Sequence, residues 1–230
     1  MSVLPSIQQL TVSPPNWKLK ALPFVPGGAV VIDPSVTDSG SVPPWRIRPG
    51  NVLVKRTATK TYVSASDPTG DRSAPASVLA LVPADATWQG ATIMVTVESG
   101  VPISTVLAAT DNTNALVVTR LNSNPSFAGL LVADVAGNVV RIRTLRGGRE
   151  VSILVTSTLA AAFGAAGMSA LGSDADYRVL EDFTDLQDNT GMAVPGIGAT
   201  SLAGYYAAQN LLNLTPEAQV VLSRNGALFG

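Results

Sequence analysis

Proline is concentrated at the start of this chain of 230 residues: nine of its 16 prolines lie within the first 49 positions. Proline fixes φ, lacks a backbone N–H and pushes the preceding residue towards extended geometry. This segment therefore cannot be helical, and it suits the interior of a sheet poorly. We predict an extended N-terminal arm over residues 1–43.

The arm carries large apolar side chains, which disordered tails usually lack. They are Leu10, Trp17, Leu19, Leu22 and Phe24. A segment of this kind has no core of its own. Two placements stay open: it lies along its parent domain, or it reaches a neighbouring chain and adds backbone hydrogen bonds there.

Short strands separated by turn residues follow the arm. The clearest is Ala91–Glu98, in which alternate residues from Ile93 to Val97 are apolar and share one face. Further strands are predicted at Asn51–Lys55, Thr61–Ala65 and Ala76–Val82. Glycine- and proline-containing turns lie between them. Residues 44–110 are therefore predicted to form a small β-barrel or sandwich domain.

The remaining portion, residues 111–230, begins with a hairpin pattern. Gly129–Val135 and Val139–Leu145 flank a Gly-Asn pair, which is a favoured tight turn. This portion also contains an uncharged stretch, Val151–Ser173, long enough to span a bilayer but interrupted by serine, threonine and glycine. We predict a buried strand at Val151–Thr156 and a short helix at Leu159–Ala166 there, and no membrane span.

Helical signals come later in the chain. Ser201–Leu212 has large side chains at near-helical spacing, and Thr215-Pro216 suits the N-cap and first position of a helix that runs to Arg224. The fold class predicted from the whole sequence is mainly β. It comprises a small barrel domain, an extended N-terminal arm and a C-terminal β-plus-helix portion.

Composition narrows the chemistry. The chain has no histidine and no cysteine, which removes serine–histidine and cysteine catalysis, disulfides and zinc sites with those ligands. A net charge of −1 is unlike that of a protein that wraps nucleic acid. Because only 13% of residues are charged, much of the surface is uncharged, and we expect it at contacts between subunits. We expect no cofactor and no enzymatic activity.

Two clusters of charged residues are candidates for ligand binding. The acidic one comprises Asp174, Asp176, Glu181, Asp182, Asp185 and Asp188. It lacks the spacing of a calcium loop, so a solvated acidic loop is favoured over a cation site. A carboxylate-dependent hydrolase or lyase that uses residues 174–188 is a third functional class, behind the two structural ones given below.

The basic cluster comprises Arg141, Arg143, Arg146 and Arg149. Glycines beside arginines could bind phosphate, but the lysine and hydroxyl residue of a phosphate loop are missing. Pairing with carboxylates of the same or an adjacent subunit is the favoured interpretation.

Aromatic residues beside basic ones are typical anchors of protein interfaces. Candidate contacts to a partner protein or another subunit are therefore Trp17, Lys18, Leu19, Lys20, Phe24, Trp45, Arg46 and Arg48, together with the four arginines of the basic cluster. For Trp45, packing on its own domain is an equally good interpretation.

Residues 49–107 contain a further pattern, which consists of Pro49–Lys55, then Thr57–Val63, the polar loop 66–75, Ser77–Leu81 and the hairpin that begins at Ala91. This pattern resembles the head decoration proteins of tailed bacteriophages. It covers about a quarter of the chain, and Thr59 stands before Lys60 where the family often has glycine. It implies a small β-barrel or tulip and a trimer. It also implies binding to the outside of the capsid as cement, with the arm contacting the major capsid protein by strand addition.

The resulting hypothesis is a structural virion protein that cements a phage capsid and is made in the host cytoplasm. Its partners would be the major capsid protein and further copies of the chain, with neither nucleic acid nor membrane. The alternative is another virion structural protein: a major capsid, tail-tube or fibre component.

Overall fold

The structure is a computed structural model that describes residues 25–230. The chain is mainly β, which confirms the predicted class. In chain order the strands are β1 (Val25–Ile32), β2 (Arg46–Ile47), β3 (Val52–Arg56), β4 (Thr61–Ser64), β5 (Pro75–Leu79), β6 (Thr92–Val97), β7 (Ile103–Val106), β8 (Leu131–Ala136), β9 (Val139–Gly147), β10 (Ser152–Ser157), β11 (Met168–Leu171), β12 (Tyr177–Leu180), β13 (Thr184–Asp185), β14 (Gly196–Ala203), β15 (Tyr205–Tyr206) and β16 (Leu228–Phe229).

Four short α-helices join these strands: α1 (Asn114–Asn122), α2 (Pro125–Ala128), α3 (Ala160–Phe163) and α4 (Pro216–Arg224). Helix α4 begins and ends as predicted, because the Thr215 side chain accepts from the Ala218 N–H and Pro216 occupies the first turn. Helix α1 was not predicted from the sequence. No helix of the described residues is long and apolar enough to cross a membrane.

The chain divides into two compact units, and this division differs from the predicted boundaries at 43/44 and 110/111. One unit contains residues 72–175, and the other combines the described residues before 72 with residues 176–230. We call them the inserted unit and the barrel unit. The strands predicted for one domain over 44–110 are thus shared between two units.

The barrel unit is built on a closed barrel in the order β1-β14-β12-β3-β4. All neighbours are antiparallel except β1 and β4, which are parallel and joined by the single pair Ile32–Tyr62. Residues 25–43 were expected to be part of the arm. They belong instead to the barrel unit, in which β1 is a barrel strand. Residues 1–24 lie outside the described part of the chain.

The near-helical spacing at Ser201–Leu212 was misleading. Residues up to Ala203 form the end of β14, and a short strand and a 3-10 turn follow. The backbone of β14 is paired with β1 on one side and β12 on the other. Tertiary strand pairing thus outweighs local helical preference here.

The two residues that flank the inserted unit both lie beside Lys55 of β3. The Asp71 N–H donates to the Lys55 carbonyl at 2.8 Å, and the Lys55 N–H donates to the Asp176 carbonyl at 3.0 Å. The barrel unit therefore holds Asp71 and Asp176 next to each other, and the ring of barrel strands stays closed.

The inserted unit has its own core between two sheets, β11-β10-β6-β7 and β5-β9-β8. Trp88 lies at its centre, fully buried and edge-on to Phe163 with ring centroids 6.0 Å apart. The β8–β9 hairpin was predicted correctly: Gly137 and Asn138 both have positive φ, as a tight turn between twisted strands requires. The predicted strand and short helix within Val151–Ser173 are also present, although the helix ends earlier, at Gly164.

We predict that the barrel unit folds without the inserted unit. A short glycine linker from Asp71 to Asp176 removes none of the barrel strands. The linker has only a short distance to span, because both residues are hydrogen-bonded to the backbone of Lys55. The shortened chain should show β-type circular dichroism and one cooperative thermal transition. An unfolded or molten product would contradict the division into two units.

Candidate partner-binding surfaces

The structure describes seven of the twelve predicted contact residues, and these seven are divided between the two units. Trp17, Lys18, Leu19, Lys20 and Phe24 lie outside the described residues. The segment from Trp45 to Arg48 lies in the barrel unit, whereas the basic cluster from Arg141 to Arg149 lies in the inserted unit.

In the barrel unit, the two arginines beside Trp45 are held by carboxylates of the same chain. Arg46 is paired with Asp185 across β2 and β13, with Nε–Oδ1 and Nη2–Oδ2 distances of 2.6 and 3.0 Å. The Arg46 guanidinium also lies 5.9 Å from the centre of the Trp45 ring. This exposed pair contributes little to stability, but it fixes the side chain of Arg46.

Arg48 is tied more tightly, because its partner Asp38 is buried. Nε and Nη2 of Arg48 each lie 2.8 Å from an Asp38 carboxylate oxygen, and the Arg48 backbone N–H donates to the same group. The hydrogen bonds from Arg48 outweigh the effect of burial and hold the pKa of Asp38 below its ordinary value of 3.8. The Arg48 side chain is 36% exposed, but its guanidinium is held by Asp38 of the same unit.

In the inserted unit, the four arginines pair with carboxylates of the same chain, as favoured from the sequence. Arg141 makes a two-pronged contact with Asp134 at 2.7 Å, directly across the β8–β9 ladder. The other pairs are Arg143 with Asp134 at 3.5 Å, Arg146 with Glu150 at 3.8 Å and Arg149 with Asp174 at 3.3 Å. Three carboxylates thus hold the four arginines, because Arg141 and Arg143 share Asp134.

The acidic stretch is not one solvated loop. Asp174 pairs with Arg149, Asp176 with Arg178 and Asp185 with Arg46, while Asp188 accepts from Thr190 to close its own turn. Among residues 25–230, no group of three or more carboxylates is placed to hold a metal ion. Three of the six acidic residues of this stretch thus serve as partners of arginines.

Asp176 has a second partner that bears on catalysis. The Tyr62 hydroxyl donates to Asp176 Oδ2 at 2.5 Å. Burial, with help from this hydrogen bond and the charge of Asp176, raises the pKa of Tyr62 to about 12. A phenol with a pKa of about 12 stays protonated at neutral pH, and Tyr62 directs its proton to Asp176, so this cluster has the character of a structural contact.

The sequence did not identify a surface on the four-stranded sheet of the inserted unit. Strand register places one set of side chains together on its exposed side: Thr92, Met94, Thr96, Ser104, Val106, Ser152, Leu154, Thr156, Ser169 and Leu171. None of them is charged, and we call this the uncharged sheet face. Met94, Val106, Leu154 and Leu171 are all substantially exposed on it, Leu171 to 72%.

Part of this face had a sequence signal. Alternation within Ala91–Glu98 predicts Thr92, Thr96 and Glu98 on one side of the strand; the structure adds Met94 to that side and ends the strand at Val97, before Glu98. Val151–Ser173 contains no charge. The sequence did not predict the strand pairing that places β7 beside β6 and β11 beside β10.

No protein-family model matches the chain, and a search of curated proteins finds no significant match.

We predict that Asp38→Asn destabilises the protein in a pH-dependent way. The lowered pKa of Asp38 means that its ionised form stabilises the fold above the carboxyl's ordinary pKa, and that this contribution is lost as pH falls through the lower folded value. Urea unfolding should show a loss of about 2 kcal/mol at pH 7. The difference from wild type should narrow below about pH 4.

Asp182→Asn is the matched control, since Asp182 is exposed. It should change the free energy of unfolding by less than about 0.5 kcal/mol at either pH. An Asp38→Asn effect that is absent at pH 7, or that persists undiminished in acid, would contradict the proposed role of the ion pair.

Proposed function

We propose that this chain is a structural virion protein that binds the outer surface of a phage capsid and cements its lattice. The observation that carries the proposal is the uncharged sheet face, on which four large apolar side chains are exposed among serine and threonine. Groups of exposed apolar side chains on one uncharged face occur at sites of association.

The size of the face favours a lattice over an isolated dimer. Strands about 4.8 Å apart and about 17 Å long give the four-stranded face an area of roughly 250 Å². A stable specific interface buries about 800 Å² on each partner. The face alone is therefore too small for tight pairwise binding. On a capsid, several such contacts act together, and linked weak contacts give strong net binding.

The distribution of charge also supports adhesion through uncharged surface. Nine arginines of the described residues form ion pairs within the chain, so little positive charge is left to attract nucleic acid. We further propose that residues 1–24 act as the arm that contacts the major capsid protein and that the protein works as a trimer. The proposed location is the virion.

We predict that Leu154→Asp weakens capsid binding by at least tenfold without unfolding the protein. Leu154 is 41% exposed on β10, so the substitution places a charge on the uncharged sheet face while the core stays intact. Co-sedimentation with capsids assembled from the virus's own major capsid protein measures the effect.

The matched control is Val220→Asp, because Val220 is similarly exposed, at 48%, but lies on α4 of the barrel unit. It should leave binding within twofold of wild type. Equal binding by Leu154→Asp and wild type would contradict the role of the face. Electron microscopy of the purified protein tests the wider proposal: shells or tubes formed by this chain alone would favour a major capsid or tail-tube protein instead.

A further inference from the structure

Two lysines of the barrel unit differ from the arginines of the described chain. Nine arginines form ion pairs, whereas Lys55 and Lys60 form none within residues 25–230. Lys55 influences Asp176 only through its charge, since that carboxylate is hydrogen-bonded by Arg178 and Tyr62. Both ammonium groups are thus left for a partner.

Both lysines line the same open pocket on the barrel, of about 420 Å³. Its wall also includes Tyr62, Arg178 and the β1 residues Ala29 and Val31. Ala29 and Val31 are exposed and apolar. We call this the lysine pocket. It combines positive charge with a small apolar wall.

The lysine pocket lies where two barrel strands separate. Strand β1 pairs with β14 along its whole length, but with β4 only at Ile32–Tyr62. Next to that pair, the Asp33 N–H donates to the Tyr62 carbonyl at 2.9 Å. Peptide groups alternate sides along a strand, so those of Ala29 face the same side as those of Asp33. Strand β4 does not pair with Ala29, and the edge of β1 is open there.

We propose that the lysine pocket binds an extended acidic segment of a partner protein. The segment would add a short strand beside β1 at Ala29, and its carboxylates would lie against Lys55 and Lys60. An open strand edge accepts an extended peptide through backbone hydrogen bonds, and side-chain pockets beside it select the sequence. Ammonium groups without a carboxylate partner select acidic side chains.

The charge of the lysine pocket favours an acidic segment over the N-terminal arm of this chain or of a second copy. Residues 1–24 contain two lysines and no acidic residue, so the arm of this chain or of a second copy does not complement the pocket. The inference goes beyond the proposed function, because it holds for any partner that presents such a segment.

Fluorescence anisotropy with the full chain tests the proposal. The probe is a short labelled peptide that alternates glutamate and valine, and the controls alternate lysine or glutamine with valine. We expect the acidic peptide alone to bind. Lys55→Gln and Lys60→Asn should each weaken its binding fivefold or more. Asparagine is chosen because Lys60 has a φ of +57°, a conformation that asparagine tolerates.

Arg146→Gln is the matched control, because it removes one exposed positive charge in the inserted unit. It should change the affinity by less than twofold, and all variants should keep the wild-type melting temperature. Equal losses in Arg146→Gln and the lysine variants would show that only net charge matters and would overturn the site.

A second probe tests strand addition itself. Methylating alternate backbone nitrogens of the acidic peptide keeps its charge but removes the donors needed to pair with β1, so binding should be lost. Undiminished binding of the methylated peptide would overturn strand addition.

Equal competition by inorganic phosphate or by oligothymidylate would identify a general anion site or a nucleic-acid site instead. Conversion of an oligomer to monomers by the lysine variants would identify a second copy as the occupant, and each of these results overturns the proposal.

Discussion

The backbone of Lys55 fixes the place at which the barrel is interrupted. Its carbonyl accepts from the Asp71 N–H and its N–H donates to the Asp176 carbonyl, so the two residues that flank the inserted unit lie beside each other. The barrel is completed only when β12 and β14 return to pair with β3 and β1. The inserted unit, which has its own core, therefore interrupts the sequence of the barrel unit without opening the ring of barrel strands.

Pairing of charges explains which surfaces remain for partners. Most arginines are held by carboxylates of their own unit, including all four of the basic cluster. Two surfaces of the described residues remain available to a partner. The uncharged sheet face offers apolar contact, and the lysine pocket offers two ammonium groups beside an open strand edge. The first suits adhesion over many copies, and the second suits recognition of one acidic segment.

The sequence predicted those features that depend on neighbouring residues. The Gly137-Asn138 turn and the Thr215 cap are local signals, and both elements formed as predicted. The unit boundaries and the strand at Ser201 depend on pairing between residues more than a hundred positions apart, such as Val25 with Ala203, which no local pattern reveals. The pairing of arginines with carboxylates followed from residue chemistry, but the identity of each partner required the strand register.

Oxidative footprinting of the protein, free and bound to capsids, tests the adhesion account most directly. Methionine oxidises readily where it is accessible, and Met94 lies exposed on the uncharged sheet face. The account predicts that Met94 is oxidised at least several-fold more slowly in the capsid-bound protein than in the free protein. An equal rate of Met94 oxidation in the two states would contradict it.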